Sequence, residues 1–182
     1  MKCSMVEIGL TVGLALFLAA FRLFHMPMGG EFSLAILPIL VLALWRGIGP
    51  GMMAGLIFGL AHFVQDPFVV HPAQFILDYP LAHTALGIGG IFSKFTPSWK
   101  AIIPGVFLGA CLDFLCHMFS GVIFINLFLP SIPENINWLG FSFPFNPWLY
   151  SFLYNASYMI PELVASMILG IPLLSALRKA IK

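Results

Sequence analysis

The sequence predicts an all-α membrane protein of six transmembrane helices, a multi-pass protein of the cell membrane, and three observations predict it. Of its 182 residues 60% are hydrophobic and 8% are charged, with a mean hydropathy of +1.02; a soluble domain carries about 25% charge. The apolar residues gather into six runs that lack the period-2 alternation of an outer-membrane barrel. Only a few ionisable or polar groups interrupt those runs, and groups buried at such cost normally face a cavity or a partner. A net charge of +1 leaves no footprint for nucleic acid.

The runs cover roughly 5–24, 33–48, 50–65, 72–94, 99–128 and 147–177, where a spanning helix needs about 20 residues. The first is too long for a secretory apolar core and is followed by no convincing small-residue cleavage site, so it is retained. The second and third are short and meet at the tight turn Gly47-Ile48-Gly49-Pro50-Gly51. The fifth and sixth exceed the bilayer and must tilt or protrude. Between them, residues 129–146 carry Pro130, Pro133, Asn135, Asn137, Gly140, Pro144 and Asn146, the composition of a long ordered loop and a candidate lid. No internal repeat supports an inverted-repeat transporter. The whole of 1–182 is expected to form one six-helix substrate-binding domain.

Basic residues set the orientation. Lys2, Arg46, Lys94, Lys100, Arg178, Lys179 and Lys182 fall on one side of the six-span layout and Arg22 near the other, which puts both termini in the cytoplasm. Trp45 and Trp99 then sit at the inner interface, Trp138 and Trp148 at the outer one. At 1.5 Å per residue, Asp78 lies roughly 9 Å into the fourth helix, His117 roughly 16 Å below the outer end of the fifth, and Tyr150 to Asn155 roughly 5–12 Å into the sixth. Three helices therefore deliver polar groups to the outer half of the membrane, with His83, Asp113 and Glu162 deeper.

Asp113 and His117 are four apart and share a face, either as a pair that neutralises two costly groups or as His117 on a ligand oriented by Asp113. Tyr150, Tyr154 and Tyr158 form one stripe. Asn155 needs a partner at its depth, and Glu162, after Pro161, is expected to be structural or coupled to a partner subunit. Glu31, in the first outer loop, is a solvated acid or a cap on the site. His25, His62 and His71 are expected at the solvated outer surface and His83 in a packing role. The histidines lack the spacing of a metal centre, no Walker A loop is present, and the three cysteines serve packing. Small residues recur at helical spacing at Ala15/Ala19, Gly51/Gly55/Gly59 and Gly105/Gly109, which lets helix backbones approach closely. No cofactor and no catalytic residue are expected.

Four segments carry a resemblance: Gly29-Gly30-Glu31-Phe32-Ser33-Leu34, Leu77-Asp78-Tyr79-Pro80-Leu81-Ala82, His117-Met118-Phe119-Ser120-Gly121-Val122-Ile123-Phe124 and Tyr150-Ser151-Phe152-Leu153-Tyr154-Asn155. In this order they resemble the thiamine-specific S-components of energy-coupling factor (ECF) transporters, the YuaJ/ThiT type, over nearly the whole chain. The resemblance implies an S-component bundle that captures thiamine, or a close analogue or precursor, from outside the cell. Its partners would be a transmembrane T-component and two ABC ATPase subunits, and it would not be an enzyme. It makes Asp78 the acid on the aminopyrimidine, with Tyr79 beside it and His117 against the thiazolium. Tyr150 and Asn155 complete the pocket, Tyr154, Ile125 and Glu31 also belong to it, and Ala15 and Ala19 match the stripe that docks on the T-component.

Three positions depart from the family pattern. Asp78 stands for a glutamate, Ile125 for a tryptophan that stacks on the ligand, and Asp113 where a basic residue is common. They point to weaker binding or a changed ligand, with Trp138 and Trp148 as candidates for the missing aromatic face. The alternative is a membrane-embedded enzyme or stand-alone carrier for a small polar heterocycle; co-purification with a T-component and ATPases separates the two.

Overall fold

A computed structural model describes residues 3–95, 98–129 and 131–180. Lys2, Pro130 and Lys182 lie outside the described residues, and of Arg178 only the backbone is described. Six helical rods follow one another: α1 Met5–Ala20, α2 Ile36–Arg46, α3 Ile48–Gln65, α4 Pro72–Phe95, α5 Trp99–Phe128 and α6 Pro147–Ala180. Two antiparallel hairpins interrupt them. The pair β1 Phe24–His25 and β2 Glu31–Phe32 joins α1 to α2, and the pair β3 Asn135–Trp138 and β4 Phe141–Pro144 joins α5 to α6.

α1 starts at a capping box, in which Glu7 N–H donates to Ser4 Oγ at 3.2 Å and Ser4 N–H to the Glu7 carboxylate at 3.0 Å. Glu7 also pairs with Arg46, tying the start of α1 to the end of α2. The helix stops at Ala20, short of the expected 24. Beyond it Arg22 turns to Glu31 at 3.0 Å and Asp66 at 2.6 Å, and Leu23 N–H pairs with the Phe32 carbonyl at 2.9 Å. Arg22 thus gains two carboxylates that a continued apolar helix would deny it.

α2 is shorter than expected. Its 11 residues reach roughly 16 Å, about half a bilayer core, and every residue from Ile36 to Leu44 is buried. It is an internal helix wrapped by its neighbours. Gly47, at φ +100°, turns the chain directly into α3, a conformation glycine adopts without steric cost. Pro50 sits inside the first turn of α3, where its missing N–H costs nothing. Together α3 to α6 provide four helices long and apolar enough to cross a membrane.

The glycine stripe of α3 packs inside the bundle. A Cβ on Gly51 would meet Ala43 and Gly87, on Gly55 the His83 carbonyl, and on Gly59 the Tyr79 carbonyl. The backbone of α4 therefore lies directly on α3, at the residues that enter the site. Gly55→Val should lower stability by about 1–3 kcal/mol through overpacking, read as a lower thermal unfolding midpoint in detergent. An unchanged midpoint would show that α3 and α4 are not so close.

α4 is not a uniform helix. Pro72 follows His71, whose Nδ1 accepts the Ala73 N–H at 3.1 Å. Leu77–Leu81 then widens into a π turn around Pro80, Ala82–Leu86 returns to α geometry, and Gly87–Phe95 tightens to 3₁₀. Pro80 lacks the N–H that an α ladder needs, and π turns of this kind favour functional sites. Asp78 and Tyr79 sit in it.

α5 and α6 have 30 and 34 residues, roughly 45 and 51 Å, and exceed a bilayer as expected. Ser98 and Asn146 cap them, accepting from Lys100 N–H at 3.3 Å and from Trp148 and Leu149 N–H at 2.9 and 3.1 Å. The segment expected as a long ordered loop contains a hairpin pairing Asn135 with Pro144 and Trp138 with Phe141.

Candidate ligand-binding site

A cavity of about 1000 Å³, counting its open mouth, lies among α3, α4, α5, α6 and the first hairpin. All eight residues expected at the site, Glu31, Asp78, Tyr79, His117, Ile125, Tyr150, Tyr154 and Asn155, line it. So do five carboxylates, those of Glu31, Asp66, Asp78, Asp113 and Glu162, and among the described residues no lysine or arginine.

Asp78 is held from α5. Its Oδ1 lies 3.2 Å from His117 Nδ1, and its Oδ2 accepts from Ser120 Oγ at 2.9 Å. His117 Nε2 is 3.8 Å from Asp113 Oδ1, and His83 Nδ1 is nearer to that same oxygen at 3.4 Å. Asp113 therefore serves two imidazoles rather than orienting His117 alone, and the nearest partner of His117 is Asp78. The result is a strip Asp78–His117–Asp113–His83 of alternating acid and imidazole. A fixed carboxylate with lone pairs to spare can accept further donors from a ligand.

The other wall comes from α6. Tyr158 O–H donates to Asn155 Oδ1 at 2.6 Å, and Asn155 Nδ2 donates to the Ser151 carbonyl at 2.9 Å. The amide that needed a partner thus finds two within its own helix, and presents an ordered edge to the cavity. Gly121 on α5 lets Ser151 approach, since a Cβ there would strike the Ser151 side chain. Tyr154 and Tyr150 stack at 6.4 Å with rings 10° from parallel. The Tyr154 hydroxyl accepts from Met28 and Gly30 N–H at 3.2 and 3.1 Å, pinning the first hairpin to the rim. Tyr79 uses its hydroxyl on the 66–68 bend, donating to the Asp66 carbonyl at 2.8 Å and accepting from Phe68 N–H at 2.9 Å, so only its ring faces the cavity.

Several expectations change. His62 is not solvated; it stacks on Phe58 at 5.1 Å, lines the cavity and lies 3.5 Å from Glu31. Its place was readable, because His62 continues the α3 face of Phe58 and Gly59 at spacings of four and three. Glu31 is largely buried between Arg22 and His62, so it belongs to the site. Glu162 has a structural role at the start of α2: its carboxyl group reaches Ser33 Oγ at 3.5 Å and the Ile36 N–H, a donor that the helix itself leaves without a partner. Neither Trp138 nor Trp148 supplies an aromatic face to the cavity. Trp148 packs edge-on against Phe119 at 5.8 Å and is half exposed, and Trp138 lines a separate hollow with Met26 and Met28. Ala15 and Ala19 are buried in the core at 0% and 1% exposure. That side of α1 packs inside the bundle, so in the isolated chain it presents no open stripe to a partner.

Comparison with known proteins adds the family. A model described as "Thiamine transporter protein (Thia_YuaJ)" matches residues 5–182. The chain belongs to this family. Thiamine transporter ThiT of Bacillus subtilis is 30% identical over 150 residues, 76% of this chain and 72% of that protein. ThiT of Lacticaseibacillus paracasei is 26% identical over 156 residues, 78% and 72% of the two chains. A solved structure of ThiT from Listeria monocytogenes superposes with a TM-score of 0.76 over 96% of this chain and 94% of that one at 24% identity, a likeness of fold. Family membership makes this chain a multi-pass membrane protein of transport rather than an enzyme.

Proposed function

We propose that this chain is the substrate-capture component of an ECF-type importer and binds thiamine from outside the cell. In that reading both termini face the cytoplasm and the cavity mouth faces outward. The observation that carries it is Asp78, a carboxylate fixed by His117 and Ser120 on the wall of an acid-rich, tyrosine-lined cavity, in a chain of the thiamine transporter family. Thiamine joins a flat aminopyrimidine to a permanently cationic thiazolium. An anionic acceptor suits the amino group, and a wall of carboxylates and aromatic faces without lysine or arginine suits the cation. Asp78 takes the aminopyrimidine, His117 stands against the thiazolium, and Tyr150, Tyr154, Asn155, Tyr79, Ile125 and Glu31 enclose the two rings.

For docking on the T-component and its two ATPases, the face of α1 opposite Ala15 and Ala19 is the available one. Gly9 and Gly13 lie there, with no atom within 4 Å of an added Cβ, flanked by exposed Leu10, Leu14 and Phe17.

Mass spectrometry of ligand extracted from the purified protein, with calorimetry of added thiamine, tests the reading. Thiamine in the extract and saturable binding are expected; a different extracted compound together with no thiamine binding would overturn it. Ile125 gives a sharper check. It is buried on the cavity wall where the family stacks an aromatic ring. Ile125→Trp should tighten thiamine binding by about 0.5–2 kcal/mol through a cation–π contact. A loss of affinity in calorimetry would mean that the space belongs to a ligand other than thiamine.

A further inference from the structure

The hairpin β3–β4 has two unlike faces. Its register pairs Trp138 with Phe141 and Ile136 with Phe143, so these four side chains share one side, and Asn135, Asn137 and Ser142 the other. At the root, Ile136 is buried at 6% exposure. Toward the tip the apolar side is largely open: Phe141 is 67% and Leu139 85% exposed.

The turn itself is unusual for water. Leu139 and Gly140 have φ of +47° and +86°, the signs of a type I′ turn, whose first position favours asparagine, aspartate or glycine. A leucine held in the left-handed region is strained, and here it also projects a bare apolar side chain. No charged residue stands between Glu134 and Glu162. Exposed aromatic side chains also mark the neighbouring ends of α5 and α6, at Phe119, Trp148 and Phe152.

We propose that the tip of this hairpin, Leu139 with Phe141, inserts into the headgroup–acyl boundary of the lipid bilayer while its root stays packed beside the cavity mouth. The depth is bounded on both sides. Aromatic side chains favour the interface, whereas open strand edges are excluded from the hydrocarbon interior because their backbone groups would lose hydrogen bonds. The root shares a hollow with Met28, Tyr150 and Tyr154, which also line the main cavity. Lipid contact at the tip thus moors a segment that borders the site. The inference stands apart from the identity of the ligand.

Site-directed nitroxide labelling tests it in phosphatidylcholine–phosphatidylglycerol vesicles, with Cys3, Cys111 and Cys116 replaced by serine. Single labels at Leu139→Cys and Phe141→Cys should collide more often with oxygen than with a water-soluble nickel chelate. Labels at Asn137→Cys and Ser142→Cys, on the polar side, should show the inverse order. All four positions are exposed, so labelling leaves the bundle intact. Nickel access at 139 and 141 equal to that at 137 and 142 would overturn the proposal and leave the hairpin free in water. Protection from both reagents at 139 and 141 would equally overturn it, pointing to a protein cover.

Discussion

Asp78→Asn is expected to weaken thiamine binding by roughly 10–100-fold, which corresponds to about 1.5–3 kcal/mol for a hydrogen bond to a charged group. The substitution keeps the shape of the side chain and removes its charge. One oxygen remains to meet His117 or Ser120, which now lie 3.2 and 2.9 Å from the two carboxylate oxygens, and the amide nitrogen repels a ligand's amino group where the carboxylate accepted it. The fold should survive, because Asp78 lies in a π turn set by Pro80 and its side chain points to a cavity rather than into the core. Asp78→Glu, the family's usual residue, should retain measurable binding. Calorimetry with thiamine, beside thermal unfolding of the ligand-free proteins, separates the effects. Wild-type affinity in the asparagine variant would remove Asp78 from the site.

The cavity was legible because polar groups at membrane depth are rare and costly. Asp78, His117, Tyr150 and Asn155 stood out against apolar neighbours on three helices, and all four line one cavity. What stayed hidden depended on rotation and partners. Helix spacing puts Asp113 and His117 on one face, but only packing brings His83 of α4 closer to Asp113 than His117 is. An all-apolar run such as Ile36–Leu44 looks alike whether lipid or protein surrounds it, so the complete burial of α2 left no mark in the sequence. The hairpins were missed because strands of two and four residues are too short for alternation to register. The distribution of basic residues places Arg22 near the outer side and says nothing of its partners. Its part in joining Glu31 to Asp66 needed the two loops to be brought together.

Gly9→Leu with Gly13→Leu is expected to abolish uptake while thiamine binding stays at the wild-type level; Ala15→Leu with Ala19→Leu is expected to prevent the protein from folding. The two pairs have the same spacing on one helix, but Gly13 and Ala15 are about 200° apart around its axis. Ala15 and Ala19 face the core with Ile8 and Val12, at 0% and 1% exposure. Each leucine there must displace packed neighbours, and overpacking costs typically 1–3 kcal/mol per site, a large part of the stability of a domain this size. Gly9 and Gly13 face outward with nothing within 4 Å of an added Cβ. Leucine fits there in the isolated protein and blocks only the close backbone approach that a small-residue stripe permits. Thermal unfolding and calorimetry on the purified variants, with radiolabelled thiamine uptake in cells carrying all partner subunits, distinguish the cases. Normal uptake by the glycine double variant would exclude this face of α1 from docking, and a folded, binding-competent alanine double variant would show that α1 is not packed through Ala15 and Ala19.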